Sequence, residues 1–284
     1  GALSREDLDG LIEAHNPAAR ILSDTDVLDP VDIDVLEIPV TFESAQDLAD
    51  LDRGASASLL LQSSGTVGRA RVALREAEAI DRVSETLRET IDVGTSDCIL
   101  SALPMHHAYG LEHAVLLPML TGARVIQMSS FHLDVALDHL LEEATVLPAV
   151  PPTIEALGVT SPGKTSLRIA YTAGSPLPTP TRQRFEENWG VKVGDLYGAS
   201  EVGTITWGFD GRAKPVSGVQ IDLAEDGELM VKSDAMFVGY LDAHDKPPSK
   251  ERIRDGWFLS GDLASIDADG SVQLIGRARL QFDV

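Results

Sequence analysis

An apolar run, Leu59-Leu60-Leu61-Gln62, leads into Ser63-Ser64-Gly65-Thr66-Val67-Gly68, where two glycines let backbone N–H groups converge and hydroxyls add further donors. Such a nest suits a phosphate, and an ordinary Ser/Gly-rich turn has the same composition. The Gly-Lys-Ser/Thr ending of a P-loop is missing, so that motif is set aside. Tyr197-Gly198-Ala199-Ser200-Glu201 follows a strand-like run at residues 191–196, which brings a hydroxyl and a carboxylate to a strand's C-terminal edge, where open α/β sheets bind ligands. Glu201 there could hold magnesium on a phosphate, or stand solvated in a loop. In Ser260-Gly261-Asp262-Leu263 the glycine permits close approach and Asp262 could accept from both ribose hydroxyls; a simple bulge is the alternative. Gly276-Arg277 adds a guanidinium able to donate in a planar fork, or a plain surface arginine.

These segments need elements to position them. Ile80, Val83, Leu87 and Ile91 recur at helical spacing among charged neighbours, as do Leu133, Leu137, Leu140 and Leu141. Both patterns predict amphipathic helices. Short apolar runs at residues 98–103, 124–128, 145–150 and 168–172 have the length of buried strands. Thr179-Pro180 supplies an N-cap and a first-turn proline for a helix ending near Trp189. The alternation predicts an α/β protein with a layered αβα sheet core over residues 1–206. After Thr206 the texture changes to short alternating strands, such as 228–232 and 271–275, separated by Asp226-Gly227 and Asp269-Gly270 turns. A smaller β-rich subdomain over residues 207–284 is expected.

Composition narrows the partners. The chain has 284 residues with 45 Asp and Glu against 23 Lys and Arg, a formal charge of -22, which repels the phosphate backbone of a nucleic acid. A small polyanion can still bind where N–H donors and a divalent cation gather locally. The single cysteine, Cys98, lies in an apolar strand-like run and reads as a buried thiol, which fits a reducing cytoplasm. No apolar run approaches the length of a membrane span, and the acidic start is unlike a signal peptide.

Taken together and in order, the segments at residues 61–72, 103–111, 171–177, 197–201, 227–240, 256–262 and 276–277 resemble the adenylate-forming superfamily of acyl-CoA synthetases, nonribosomal-peptide adenylation domains and luciferases. The resemblance runs from residue 55 to residue 279, with the first fifty residues matching loosely. It implies that Ser63, Ser64, Gly65, Thr66 and Gly68 form the phosphate loop, continued by Arg71, with Ser200 and Glu201 at the phosphates and magnesium. It also implies that Asp262 and Arg277 hold the ribose, and that adenine stacks between Ala173-Gly174-Ser175 and Tyr197. His107, within Pro104-Met105-His106-His107-Ala108-Tyr109-Gly110-Leu111, matches the aromatic or histidine position beside the acyl pocket, with Tyr109 and Tyr171 as further walls.

Departures from the pattern are specific. Where the superfamily continues its phosphate loop with Pro-Lys-Gly, this chain has Ala70-Arg71-Val72, a planar fork in place of a point charge. Leu280 stands where a charged hinge residue is usual, and seven residues follow Arg277, so the superfamily's C-terminal lid subdomain with its lysine is expected to be absent. The implied activity is ATP-dependent formation of an acyl-AMP from a carboxylic acid, followed by transfer to the thiol of coenzyme A or of a carrier protein's phosphopantetheine. Amino-acid-activating relatives carry an Asp in the segment matching residues 105–111, and this chain has none, so an aryl or aliphatic acid is expected. The expected cofactors are ATP or AMP and Mg2+, and the expected partners are the small acid, an acyl carrier protein or a separate C-terminal subdomain. The competing expectations are an adenylation-like pseudoenzyme that binds nucleotide or a megasynthase partner without chemistry, and a structural domain between catalytic modules.

Overall fold

The structure is a computed structural model that describes residues 58–63, 71–241 and 248–278. Strands β3 (Cys98–Ser101), β4 (Arg124–Gln127), β5 (Val146–Ala149), β6 (Ile169–Thr172), β7 (Val193–Ala199), β8 (Gly203–Phe209) and β9 (Lys214–Pro215) form one sheet in the order β4-β3-β5-β6-β7-β8-β9. Pairing is parallel from β4 through β7 and antiparallel at β8 and β9. Every residue of β3 and β5 is buried, as expected for parallel strands covered on both faces.

Helices supply both covers. On one face α3 (Leu133–Glu142), α4 (Pro151–Gly158) and α5 (Thr179–Trp189) bring Ala136, Leu140, Ile154, Leu157 and Phe185 onto Leu100, Leu147 and Ala170. On the other, α1 (Ala77–Thr90) buries Val83 and Leu87 against Ile99, Val146 and Tyr171. A second helix, α2, joins it there and runs through Ala108–Leu111, a π turn at Glu112–Leu116 and Leu117–Thr121. This is the layered αβα core that the alternation predicts. Two local expectations change. Leu141, expected on the apolar stripe of α3, is 41% exposed. Helix α5 has Pro178 rather than Thr179 at its N-cap position, without a side-chain capping bond; Pro180 remains in the first turn, where its missing N–H is harmless.

Two smaller sheets complete the chain. Strands β1 (Ser58–Ser63), β2 (Arg71–Glu76) and β12 (Gly239–Leu241) pair in that order, all antiparallel. Strands β10 (Val219–Leu223), β11 (Glu228–Ser233), β13 (Ile253–Arg254), β14 (Trp257–Ile266) and β15 (Val272–Arg277) form an antiparallel sheet with β14 central. A third apolar cluster joins the sheets: Ala73 from β2 and Ile205 from β8 pack with Leu229, Phe237, Tyr240 and Phe258. The change of texture at residue 206 therefore falls inside β8, because this strand alternates like a β-rich segment yet bonds to β7 in the large sheet. Residues 207–209, expected in the β-rich unit, are the last three of this strand and pair with β7.

Gly203 opens β8 with φ +90, and a Cβ there would lie 2.6 Å from Val83 Cγ2 and 3.1 Å from Arg75 Nη2. Gly203→Ala combines left-handed backbone strain with overpacking, so it should destabilise the protein by about 3 kcal/mol. A urea unfolding midpoint equal to the parent's would contradict this.

Candidate functional site

Parallel strands β3, β5, β6 and β7 end at one edge of the large sheet, and several of the expected site residues follow those ends. Ala173, Gly174 and Ser175 follow β6; Ala173 is buried while Gly174, with φ +88, and Ser175 are exposed. Tyr197 lies on β7, with Ser200 and Glu201 in the turn to β8. Of the expected phosphate loop, Ser63 ends β1, and Ser64, Gly65, Thr66 and Gly68 lie outside the described residues.

Asp262 is held at both oxygens. It occupies β14 directly after Gly261, whose φ of +82 bends the strand, and its cross-strand partner is Arg277. The Arg277 Nε lies 3.1 Å from Asp262 Oδ1, and the Tyr197 hydroxyl donates to Oδ2 at 2.7 Å. Burial, with the Asp262 carboxylate adding to it, pushes the Tyr197 hydroxyl far above its ordinary range, so it remains a donor. Each carboxylate oxygen has a second lone pair, and Asp262 can still accept from a ligand hydroxyl. Tyr197 thus joins the large sheet to the β14–β15 pair, two elements that sequence order alone leaves apart.

Glu201 is 8% exposed, and its carboxylate is oriented by a residue that the sequence reading did not single out. The Tyr240 hydroxyl donates to Glu201 Oε1 at 2.7 Å, while the Phe237 amide donates to the Glu201 carbonyl at 2.7 Å. Tyr240 sits opposite Ala73 in the β12–β2 register, and the Arg71 guanidinium lies over its ring, 4.9 Å from the centroid. Arg71 also pairs with Glu251 at 2.5 Å. The signal available for Tyr240 was its place in the Gly-Tyr pair at 239–240 of a segment already noted, but a tyrosine's partner cannot be read from spacing. Among the described residues no three His, Cys, Asp or Glu side chains are grouped as a metal cage. A lone carboxylate is the donor set of Mg2+ bound chiefly through phosphate oxygens and water, so Glu201 fits that ion in nucleotide-borne form.

His107 and the two tyrosines fall on and beneath α2. His107 is exposed at the N-cap position of the helix, its ring 4.3 Å from that of His106. His106 is half-buried, and burial, followed by the charge of His107, lowers its pKa. Tyr109 donates to the Ala149 carbonyl at 3.1 Å. Tyr171, expected as a pocket wall, is fully buried: its hydroxyl meets His113 Nδ1 at 2.8 Å and its ring meets Trp207 edge-on at 5.4 Å. It forms the floor beneath α2. The aromatic character of this position was legible, but its depth depends on packing by Trp207 from β8.

The architecture is that of the N-terminal domain of adenylate-forming enzymes. A family model described as AMP-binding enzyme matches residues 13–241, and the chain belongs to that family. The chain is 26% identical over 282 residues to a 3-[(3aS,4S,7aS)-7a-methyl-1,5-dioxo-octahydro-1H-inden-4-yl]propanoyl:CoA ligase of Rhodococcus jostii, covering 88% of this chain and 54% of that protein. A feruloyl-CoA synthase of an Amycolatopsis species is 28% identical over 246 residues, covering 78% and 49% respectively. The fold superposes with TM-score 0.70 and 28% identity on the crystal structure of ATP-bound MatB from Rhodopseudomonas palustris, over 77% of this chain and 47% of that one. The chain thus spans about half the length of these relatives. No described helix is long and apolar enough to cross a membrane.

The buried histidine in the π turn of α2 has a measurable consequence. His113 is fully buried, and burial holds its pKa down at about 3 against an ordinary 6.5. Between those values the unfolded chain binds a proton that the folded chain does not, so stability falls as pH drops through 6.5 toward 3. His113→Asn should remove a slope of about 1.4 kcal/mol per pH unit from that window. Urea unfolding at pH 7, 6 and 5 checks this, and identical slopes in the two proteins would refute it.

Proposed function

We propose that this chain is the nucleotide- and acid-binding core of a ligase that activates a carboxylic acid as its acyl-AMP for transfer to a thiol. The observation that carries the reading is the pair of oriented carboxylates: Asp262 between Tyr197 and Arg277, and Glu201 under Tyr240. Membership in the AMP-binding enzyme family supports it. Asp262 accepts from the ribose hydroxyls, with Arg277 and Tyr197 fixing its orientation. Adenine lies between Ala173-Gly174-Ser175 and the Tyr197 ring. The segment Ser63, Ser64, Gly65, Thr66 and Gly68 receives the phosphates, with Arg71, Ser200 and Glu201 as their further contacts. Glu201 would hold Mg2+ brought with the nucleotide, and the ion would supply charge neutralisation there.

In the first step a carboxylate oxygen attacks the α-phosphorus, an acyl–O–P bond forms, the bond to the bridging oxygen breaks, and pyrophosphate leaves. Positioning and charge stabilisation are the protein's contribution. In the second, a thiol attacks the acyl carbonyl and AMP departs. Coenzyme A is the thiol favoured by the relatives' names, which are those of CoA ligases and synthases; a carrier-protein pantetheine is the finer alternative. The acid enters beside α2 at His107. Residues 105–111 carry no acidic side chain to pair with an α-ammonium group, which favours an aryl or aliphatic acid. The buried free thiol of Cys98 fits a reducing, cytoplasmic setting. A second reading, nucleotide binding without adenylate formation, is favoured by Arg71, whose guanidinium is engaged by Glu251 and Tyr240.

Calorimetric titration of the parent chain with AMP and with Mg-ATP should give measurable heat. Asp262→Ala removes charge-assisted bonds to ribose and should weaken AMP by about 10-fold or more while leaving pyrophosphate within about 2-fold. Equal losses for the two ligands would reject the ribose role, and no heat at millimolar nucleotide would reject the site. A thermal-shift panel tests the acid class: with AMP present, aryl and aliphatic acids should raise the melting temperature and amino acids should not. Stabilisation by amino acids alone would reverse that assignment.

A further inference from the structure

Arg75 is 1% exposed and Glu112 is 3% exposed, and they are joined at 2.7 Å. Burial pushes the Glu112 carboxyl upward while the Arg75 guanidinium pulls it down. Removing a guanidinium and a carboxylate from water carries a desolvation penalty comparable to their attraction, and an apolar pair of similar volume often packs as well or better. Stability alone therefore gives no reason for the pair. Its connections do. Arg75 lies on β2, the strand that leaves the phosphate-loop segment, and its Nη2 also reaches the Ala199 carbonyl at 3.5 Å, beside Ser200 and Glu201. Glu112 opens the π turn of α2, the helix that begins at His107.

Helix α2 is irregular next to Glu112. Pro118 has no N–H to give the Ala114 carbonyl, and the helix accommodates this with a five-residue π turn at Glu112–Leu116, a feature concentrated at functional sites. Toward the N-terminus it is locked: a Cβ on Gly110 would lie 2.2 Å from the Pro104 carbonyl oxygen, so the helix sits directly on the turn that carries His106 and His107.

We propose that Arg75 is a positioning residue that couples the nucleotide turn at residues 199–201 to the acid-side helix α2 through Glu112. The coupling rests on the nucleotide and acid sites assigned under Proposed function. Nucleotide that orders the turn orders Arg75 with it, and the ion pair transmits that order to α2 and His107.

Hydrogen exchange of the 284-residue chain, with and without saturating AMP, tests this. In the parent, AMP should slow exchange of α2 amides by about 5-fold or more, the lower end of typical coupling between sites. The R75M/E112L variant replaces the ions by an apolar pair; it should bind AMP within about 3-fold of the parent yet slow α2 by less than about 2-fold. A merely structural pair would lower the melting temperature and leave the AMP-dependent slowing intact, and that result overturns the proposal. Should R75M/E112L fail to fold, E112Q, which keeps an oxygen acceptor for Arg75 and removes the charge, supplies the same comparison: weaker transmission supports the coupling and unchanged transmission overturns it. Absence of AMP binding by the parent would overturn the functional reading and this role with it, whereas AMP binding without protection of α2 overturns the coupling alone.

Discussion

Glu201 sits in the three-residue turn between β7 and β8, held by groups from β2, from β12 and from the segment before β12. The Phe237 amide takes the Glu201 carbonyl, Tyr240 takes its carboxylate, Arg75 reaches the Ala199 carbonyl, and Gly203 leaves the turn in the left-handed region against Val83. Each contact comes from a different stretch of chain. The face of β2 that points inward carries Arg71, Ala73 and Arg75 at alternate positions, and the small side chain of Ala73 makes room for Tyr240 directly opposite. A carboxylate placed this way stands at the end of β7 with one oxygen and its own carbonyl both partnered.

The charge balance follows from the same arrangement. A chain with a formal charge of -22 repels a polyanion over most of its surface, so local donors must dominate at the site. Arg75 is neutralised internally by Glu112 and adds little outward field. Arg71 and Arg277 are partly exposed and paired with Glu251 and Asp262. Exposed ion pairs contribute about 0–1 kcal/mol, so the Arg71–Glu251 pair holds its guanidinium weakly, whereas Asp262, mostly buried and also bound by Tyr197, keeps Arg277 in place.

At the opposite end of the strands a different charge set serves the fold alone. Arg168 donates to both oxygens of Asp97, which also accepts from Thr145, across the starts of β3, β5 and β6. The Arg168 hydrogen bond outweighs burial and holds the Asp97 carboxyl down at about 2. Rigidity at that end leaves the C-terminal strand ends as the place where side chains meet a ligand.

Much of this was legible in the chain itself. The apolar runs at 98–103, 124–128, 145–150 and 168–172 became β3 to β6, because a strand buried on both faces must be continuously apolar and short. Helices α1 and α3 followed from the 3.6-residue spacing of their apolar positions. Asp262, Arg277, Tyr197 and Glu201 were visible as residue types in an order that a nucleotide site requires. Helix α4 was hidden by its Pro151-Pro152 start, which reads as a breaker although proline suits a first turn, and α2 by the π turn that breaks its period. The sequence by itself determined the elements and the order of the reactive residues, because periodicity and turn chemistry are local. Only the tertiary structure decided that Tyr197 binds Asp262, that Tyr240 orients Glu201 and that Arg75 meets Glu112 37 residues away, because such contacts depend on strand order and register, which no local pattern encodes.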